Sequence, residues 1–465
     1  MKKVNLGQKE IIHFVGIGGM GMSGLAQVMS NMGFIIQGSD QHKNKNTIAC
    51  AGDGIKVFIG HSSKNVKKST ILVRSSAVQN SNIEIRYAKK KNIPIYSRAE
   101  VLADVVSLKK NIIITGSHGK TTTTSLVSKI LSDQKLDPTI INGGVINSLK
   151  SNAKLGKGEW AILEADESDG SFLKLPINYS VVTNIDTEHL DYYKNYKNLE
   201  NSFIKFIEKT PITGKSIVCM DNKNIRTILK KLENKNIITY GERKKANYRI
   251  SNIRYKINYT IFDLSFKNID KKDKTIKNLK LRLLGKHNVL NATAAIIICL
   301  NLGVNQNVIK KSLETFSGVQ RRMTKIFTKN KNDFYDDYAH HPTEIKSILD
   351  GVKNVYKDRK IISVFEPHRY SRVISLNKDF AKSFSKSDIV LLCPIYAAGE
   401  NKSSRFNQKL FAKSIAKYSK TQVILVENQI QLKKYFDKNL LSDEIIIGMG
   451  AGLISKWMNN LKSDL

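Results

Sequence analysis

Residues 111–124 read NIIITGSHGKTTTT. An apolar, β-branched run ends in two glycines, a lysine and threonines, and Ser125 to Asp133 continues with a helical pattern. A strand that breaks at glycines and opens a helix leaves unpaired N–H groups at the helix start, where the aligned peptide dipoles favour an anion. Gly116, Ser117, His118, Gly119 and Thr122 then supply a backbone cradle for a triphosphate. Lys120 can offset its charge, and the Thr121 hydroxyl can ligate Mg²⁺. Only Ser117 and His118 separate the two glycines, a tighter spacing than GxxxxGK[ST].

Upstream, IIHFVGIGGMGMSGLA (residues 11–26) places Gly16, Gly18, Gly19 and Gly21 after an apolar strand, Ile11 to Gly16, and at the start of a helix ending near Met32-Gly33. GxGxxG in that setting lets backbone approach a pyrophosphate closely, and Ser39-Asp40, after the strand Phe34 to Gly38, is spaced to meet a ribose hydroxyl. With Thr70 to Val73 as a later strand, the pattern is βαβ and the sheet parallel. A nicotinamide dehydrogenase would explain this region but leaves GSHGKTTTT without a use.

Downstream, the strand Trp160 to Glu164 runs into EADESDGSF, with carboxylates at Glu164, Asp166, Glu167 and Asp169. A carboxylate at a strand end beside a phosphate loop can hold Mg²⁺. TNIDTEHLDYY follows the strand Ser180 to Thr183 and offers Asn184, Asp186, Glu188, His189 and Asp191, with His189 as a ligand of a second metal ion. Two cations suit phosphoryl transfer to a carboxylate, since donor and acceptor are both anionic. Asn247 to Leu283 alternates as antiparallel strands do, interrupted by the charged turn Asp270 to Lys274.

After Phe316-Ser317-Gly318 the βα alternation resumes. Strands are expected at Lys360 to Phe365, Ile389 to Leu392, Gln422 to Val426 and Glu444 to Gly448, with a helix from Pro342 to Val355. GVQRRM, DDYAHHPTEI, FEPHRYSR and IYAAGE gather Arg321, Arg322, Arg369 and Arg372 with His340, His341 and His368. Forked guanidinium groups recognise carboxylate and phosphate.

Length and composition agree with this division. At roughly 150 residues per domain, 465 residues make about three domains. Hydrophobic residues at 41% and charged residues at 25% exclude a disordered tail or a collagen-like repeat. The net charge of +36 is mostly scattered lysine with no aromatic-interleaved basic stripe, so no nucleic-acid partner is expected, although the positive field favours anionic substrates. Four cysteines form no CxxC pair, which argues for reduced thiols. No signal peptide follows MKKVNLGQKE and no apolar run reaches about 18 residues, so a cytoplasmic protein without membrane contact is expected.

Taken in order, HFVGIGGMGMSGLA, GSHGKTTTT, EADESDGSF, TNIDTEHLDYY, LLGKHNVLNATAA, DDYAHHPTEI, FEPHRYSR and IYAAGE resemble the Mur ligases over essentially the whole chain. These are ATP-dependent amide-bond-forming enzymes of peptidoglycan precursor synthesis. The resemblance implies an α/β protein of three domains: a Rossmann-like UDP-sugar domain (1–108), a central P-loop ATPase-type domain (109–315) and a Rossmann-like C-terminal domain (316–465). It implies UDP-N-acetylmuramate and L-alanine as substrates, ATP and Mg²⁺ as cofactors, and a monomer or weak homodimer. Family members that recycle intact peptide share most of these motifs and stay open as an alternative.

By the same resemblance, Thr121, Glu164 and His189 would take metal. His287, Asn288, Asn291, Arg321 and Asp337 would meet the nucleotide. Gly16, Gly18, Gly19, Gly21, Ser39, Asp40, His61 and Ser75 would hold the UDP-sugar. Tyr338, His341, His368, Arg369, Arg372, Tyr396 and Glu400 would line the amino-acid and acyl region, with Lys120, His341 and Arg372 catalytic. Two departures from the family pattern are Ser117 in place of the usual Thr, and Gln320 where Lys is common.

Overall fold

The computed structural model describes residues 10–233, 236–267, 270 and 272–464. Its amino-terminal sheet contains β1 (Ile11–Val15), β2 (Ile35–Asp40), β3 (Lys56–Ile59), β4 (Ile71–Arg74) and β5 (Ile95–Ser97), ordered β3-β2-β1-β4-β5 with every pair parallel. Helices α1 (Met20–Asn31), α2 (Lys45–Gly52), α3 (Ile83–Lys90) and α4 (Arg98–Val105) form the crossovers. The order reverses direction at β1, which puts a crevice at the carboxyl ends of β1 and its neighbours.

The second sheet has ten strands: β6 (Lys110–Thr115), β7 (Thr139–Ile146), β8 (Ser151–Lys154), β9 (Trp160–Glu164), β10 (Tyr179–Val182), β11 (Lys215–Cys219), β12 (Ile237–Gly241), β13 (Tyr248–Lys256), β14 (Tyr259–Lys267) and β15 (Asp273–Leu281). They are ordered β15-β14-β13-β12-β11-β10-β6-β9-β7-β8. β6 lies inside this sheet, parallel to both β9 and β10, so its continuous apolar run is explained by burial on both faces. Helix α5 (Lys120–Asp133) begins directly at Lys120, five residues earlier than the periodicity suggests, because Gly119 caps it in the left-handed conformation. The charged turn is cut shorter than expected by β15 starting at Asp273, and Lys271 lies outside the described residues.

The third sheet is β16 (Thr324–Lys329), β17 (Asn332–Asp337), β18 (Lys360–Phe365), β19 (Ile389–Leu392), β20 (Gln422–Leu425) and β21 (Glu444–Met449), ordered β16-β17-β21-β18-β19-β20. Only the β16–β17 hairpin is antiparallel within it. Two apolar layers, one around Phe365, Phe380 and Phe384 and one around Phe334, Phe436 and Met458, cover its faces.

By contacts the chain forms two compact units. One holds the described residues through Asn252, with Phe262–Leu281 and Leu290–Ser317; the other holds Ile253–Ile261, Arg282–Val289 and the chain from Gly318 onward. The first sheet and most of the second therefore belong to one unit, while residues 253–256 of β13 and 259–261 of β14 fall in the other. Asn152 Nδ2 donates to Met20 O at 2.8 Å, and a Cβ on Gly24 would stand 3.0 Å from Asn152 Nδ2, so α1 seats closely on β8. No helix among the described residues is long and apolar enough to cross a membrane.

Candidate active site

The turn between β6 and α5 is knitted to the segment after β10. Ser117 N donates to Asn184 O (3.1 Å), His118 N donates to Asn184 Oδ1 (2.9 Å), and Thr183 Oγ1 donates to His118 O (2.6 Å). Ser117 Oγ accepts from Asp186 N at 2.8 Å, a bond that Thr would also make, so the Ser117 departure keeps its function. His118 Nε2 lies 3.2 Å from Asp186 Oδ2. Asn291, expected at the adenine end of a nucleotide, stands directly against Gly119.

Lys120 Nζ donates to Gly116 O (2.6 Å) and to both oxygens of Glu167 (2.8 and 3.1 Å). Burial works to lower the Lys120 pKa, but Glu167, Asp166 and Glu164 outweigh it and hold the amine above its ordinary range. Glu167 is buried, also faces His189 Nε2 at 3.5 Å, and its carbonyl accepts from Tyr193 Oη at 2.5 Å. Burial likewise opposes charge on His189, and Glu167, Glu188 and Asp166 raise its pKa in spite of that. Thr121 Oγ1 donates to Glu164 Oε1 (3.1 Å), whose other oxygen accepts from Gly143 N (2.6 Å).

Of the expected metal ligands, Thr121 pairs with Glu164, and His189 gathers with Asp166 and Glu167, the ligand atoms of these last three lying within 4.8 Å of one another. Carboxylate, hydroxyl and imidazole donors suit a hard divalent cation. Glu167 stood out in the sequence only as one of four acids. Nothing in the spacing marks it as the buried one. The Asp191 side chain lies outside the described residues.

At the first sheet, the glycine-loop amides are engaged by the protein. Gly16 N and Ile17 N both donate to Ser39 O, and Gly18 N donates to Asp40 Oδ2 at 2.8 Å. The amides that helix geometry leaves unpaired are the next ones, Met20 and Gly21 in the first turn of α1. Gly19 caps that turn, Ser75 stands against Gly16, and a Cβ on Gly21 would meet Arg98 Nη1 at 3.0 Å. Arg98 escaped the sequence reading because it opens α4, far along the chain from the glycines.

Glu84, at the start of α3, is fully buried beneath this crevice. Burial pushes its carboxyl up, yet hydrogen bonds from His13, Ser39 and Asn65 bring it from an ordinary 4.5 down to about 2. A depressed folded-state pKa gives stability that is present above the unfolded value and is lost as pH falls towards the folded one. Glu84→Gln should therefore lower the urea midpoint most above about pH 5, with the gap to wild type closing towards about pH 2 to 3. A gap that stays constant with pH would contradict this.

In the second unit, His340, His368 and Tyr396 form a line of rings, His340–His368 at 5.4 Å and His368–Tyr396 stacked at 5.7 Å. Burial, with His340, Arg372 and Arg369 nearby, pushes His368 down to about 3, and its Nδ1 accepts from Arg372 Nη1 at 3.0 Å. Arg369 Nε pairs with Glu400 at 3.3 Å, and Glu400 also accepts from Ser371. Arg321 donates to Gly450 O and lies over the Tyr338 ring, 4.7 Å from its centre.

Asp337 accepts from the amides of Met323 and Ala339, and burial lifts its carboxyl to about 6. His341 caps the helix Pro342–Val355, its Nδ1 accepting from Thr343 N at 3.3 Å. The proton of the neutral ring is then on Nε2. His287 is driven down to about 4 by burial and by Arg322, while Asn288 donates to Leu284 O.

Three family descriptions match in sequence: "Mur ligase family, catalytic domain" over 11–110, "Mur ligase middle domain" over 114–299 and "Mur ligase, glutamate ligase domain" over 321–452. The chain is 54% identical over 459 residues to the UDP-N-acetylmuramate–L-alanine ligase of Pelagibacter ubique, covering 99% of each chain. It is 41% identical over 456 residues to the enzyme of that name from Agrobacterium fabrum, covering 98% of this chain and 97% of the relative. Among solved structures, the UDP-N-acetylmuramate–alanine ligase of Thermotoga maritima superposes with a TM-score of 0.82 at 28% identity, covering 98% of both chains. A murein peptide ligase from Psychrobacter arcticus shares the fold, with a TM-score of 0.72 at 21% identity and 98% of both chains covered. With the phosphate-loop geometry and near-complete coverage at 54% identity in agreement, the chain belongs to the Mur ligase family.

Proposed function

We propose that this protein joins L-alanine to the lactyl carboxylate of UDP-N-acetylmuramate, converting ATP to ADP and phosphate. The observation that carries the reading is Lys120, fixed at the strand–helix turn with Glu167 behind it and with Thr121–Glu164 alongside. The 54% identity with a protein named for this reaction supports the choice of substrates.

A carboxylate does not acylate an amine at neutral pH. Attack of the muramoyl carboxylate on the γ-phosphate of ATP gives an acyl phosphate and ADP, and Lys120 offsets charge on the transferring group. The alanine amine then attacks the acyl carbon and phosphate leaves. Thr121, Glu164, Asp166, Glu167 and His189 are the residues that would hold Mg²⁺, which when bound would neutralise phosphoryl oxygens. Met20 N, Gly21 N and Arg98 receive the UDP pyrophosphate. His341, with its ring proton on Nε2, positions a partner and does not serve as a base through that nitrogen.

The test is ADP release with UDP-N-acetylmuramate, ATP and Mg²⁺, supplied with L-alanine, glycine, L-serine, a muropeptide-type tripeptide or no acceptor. L-Alanine should give the highest kcat/KM. A preference for the tripeptide would replace this reading with peptide recycling, and no ADP above the acceptor-free control would remove it.

A further inference from the structure

Below the crevice of the first sheet, one carboxylate organises five groups. Glu84 Oε1 accepts from Ser62 N (3.1 Å) and Asn65 Nδ2 (2.7 Å). Its Oε2 accepts from Ser39 Oγ (2.5 Å) and lies 3.1 Å from His61 Nδ1 and 3.4 Å from His13 Nε2. The ring protons follow from donor and acceptor chemistry. Gln37 Nε2 donates to His13 Nδ1 at 3.1 Å, so the proton of neutral His13 is on Nε2, facing Glu84.

An ionised carboxylate only accepts, and the Ser39 hydroxyl has already given it a proton. His61 Nδ1 lies 3.0 Å from Ser39 Oγ as well. Both neighbours of that nitrogen require a donor, so Nδ1 carries the hydrogen. His61 Nε2 is left with a lone pair, on a side chain 12% exposed at the crevice.

Position supplies the ligand chemistry. The sheet order β3-β2-β1 runs outward from the glycine turn after β1, past Asp40 at the end of β2, to His61 just beyond β3. A nucleotide with its phosphates on α1 and its ribose at Asp40 brings its base to His61. Uracil presents N3–H, a donor flanked by two carbonyl acceptors. Cytosine presents a bare N3.

We propose that Glu84 is a positioning residue that locks His61 in the Nδ1–H tautomer, so that Nε2 accepts from uracil N3–H and the site selects a uridine over a cytidine nucleotide. The proposal rests on the UDP-sugar reading above and names the group that reads the base. In Glu84→Gln, the amide oxygen stays on the two fixed donors, Ser62 N and Asn65 Nδ2. Its NH₂ then faces His61 Nδ1 and drives the hydrogen to Nε2, turning an acceptor into a donor.

The experiment measures UDP and CDP as competitive inhibitors against the UDP-sugar in the full-length protein. Wild type should favour UDP by about tenfold or more, the scale of one unmatched polar pair in a closed site. Glu84→Gln should erase that preference and raise the KM for the UDP-sugar, with the KM for ATP within about twofold of wild type. ¹⁵N shifts of the His61 ring should report the exchange of protonated nitrogen. His61→Ala, which leaves the buried carboxylate in place, keeps the test available if Glu84→Gln folds poorly, and it too should level UDP and CDP. An unchanged UDP:CDP ratio in either folded variant, with ADP still formed, overturns the base-reading role alone. Failure to form ADP in wild type overturns the ligase reading instead.

Discussion

Lys120→Ala is expected to lower ADP formation by about 10³-fold or more, since one preorganised cation on the transferring phosphoryl group is worth that much. UDP binding should stay within about twofold, because the crevice proposed for UDP belongs to the first sheet and Lys120 to the turn after β6. The Lys120 ammonium also neutralises Glu167, which is 1% exposed. Removing one partner of such a pair strands a buried charge at a cost of about 3–5 kcal/mol. Lys120→Ala should therefore melt earlier as well as turn over more slowly. Lys120→Met combined with Glu167→Gln removes the stranded charge, so melting should recover; because Glu167 would also help to hold Mg²⁺, activity is compared with that of Glu167→Gln alone and should fall further below it. Recovery of activity in the double variant to the level of Glu167→Gln alone would show that Lys120 acts only by keeping the fold.

Gly116→Ala should destabilise the protein by about 3 kcal/mol, combining left-handed strain with a backbone collision, and cut turnover by about 100-fold through misplaced loop atoms. Gly116 has a φ of +128°, where L residues are rare, and its Cβ would strike Thr183 Oγ1 and lie 2.8 Å from Asn184 O. These are the groups that tie the phosphate loop to the segment after β10, so the loop cannot yield without moving His118 and Asp186. Gly54→Ala is the control. Its φ of +80° is strained too, but nothing lies within 4 Å of the added carbon. It should cost about 1–2 kcal/mol and leave ADP formation intact. Thermal melts and initial rates on both variants decide the matter; equal losses would mean that strain alone, and not the collision at the loop, governs Gly116.

Much of the architecture is legible along the chain because its signals are local. The run Ile112 to Ile114 is apolar without alternation because β6 is covered on both faces, and β9, β18 and β19 keep the bounds that their composition predicts. The turn after β6 announces itself by glycines at +128° and +85°, a conformation that side chains resist. Strand ends elsewhere shift by a residue or two, as at β2 and β10, where pairing with neighbours extends or trims what the pattern suggests.

Site residues divide along the same line. Lys120, Thr121 and the glycine loops stand out as candidates in the sequence because a phosphate cradle needs those residue types at fixed short spacing. Tertiary structure alone decided which acid is buried against Lys120, that Asn291 lies on Gly119, that Ser39 and Asp40 occupy the first glycine-loop amides, and that Glu84 governs His61. Those partners lie 22 to 172 residues apart in the chain, and burial depends on which surfaces the sheets bring together. Sequence can specify a turn whose geometry is set by its own backbone; a charge acquires its partner, its proton and its pKa only when distant segments close around it.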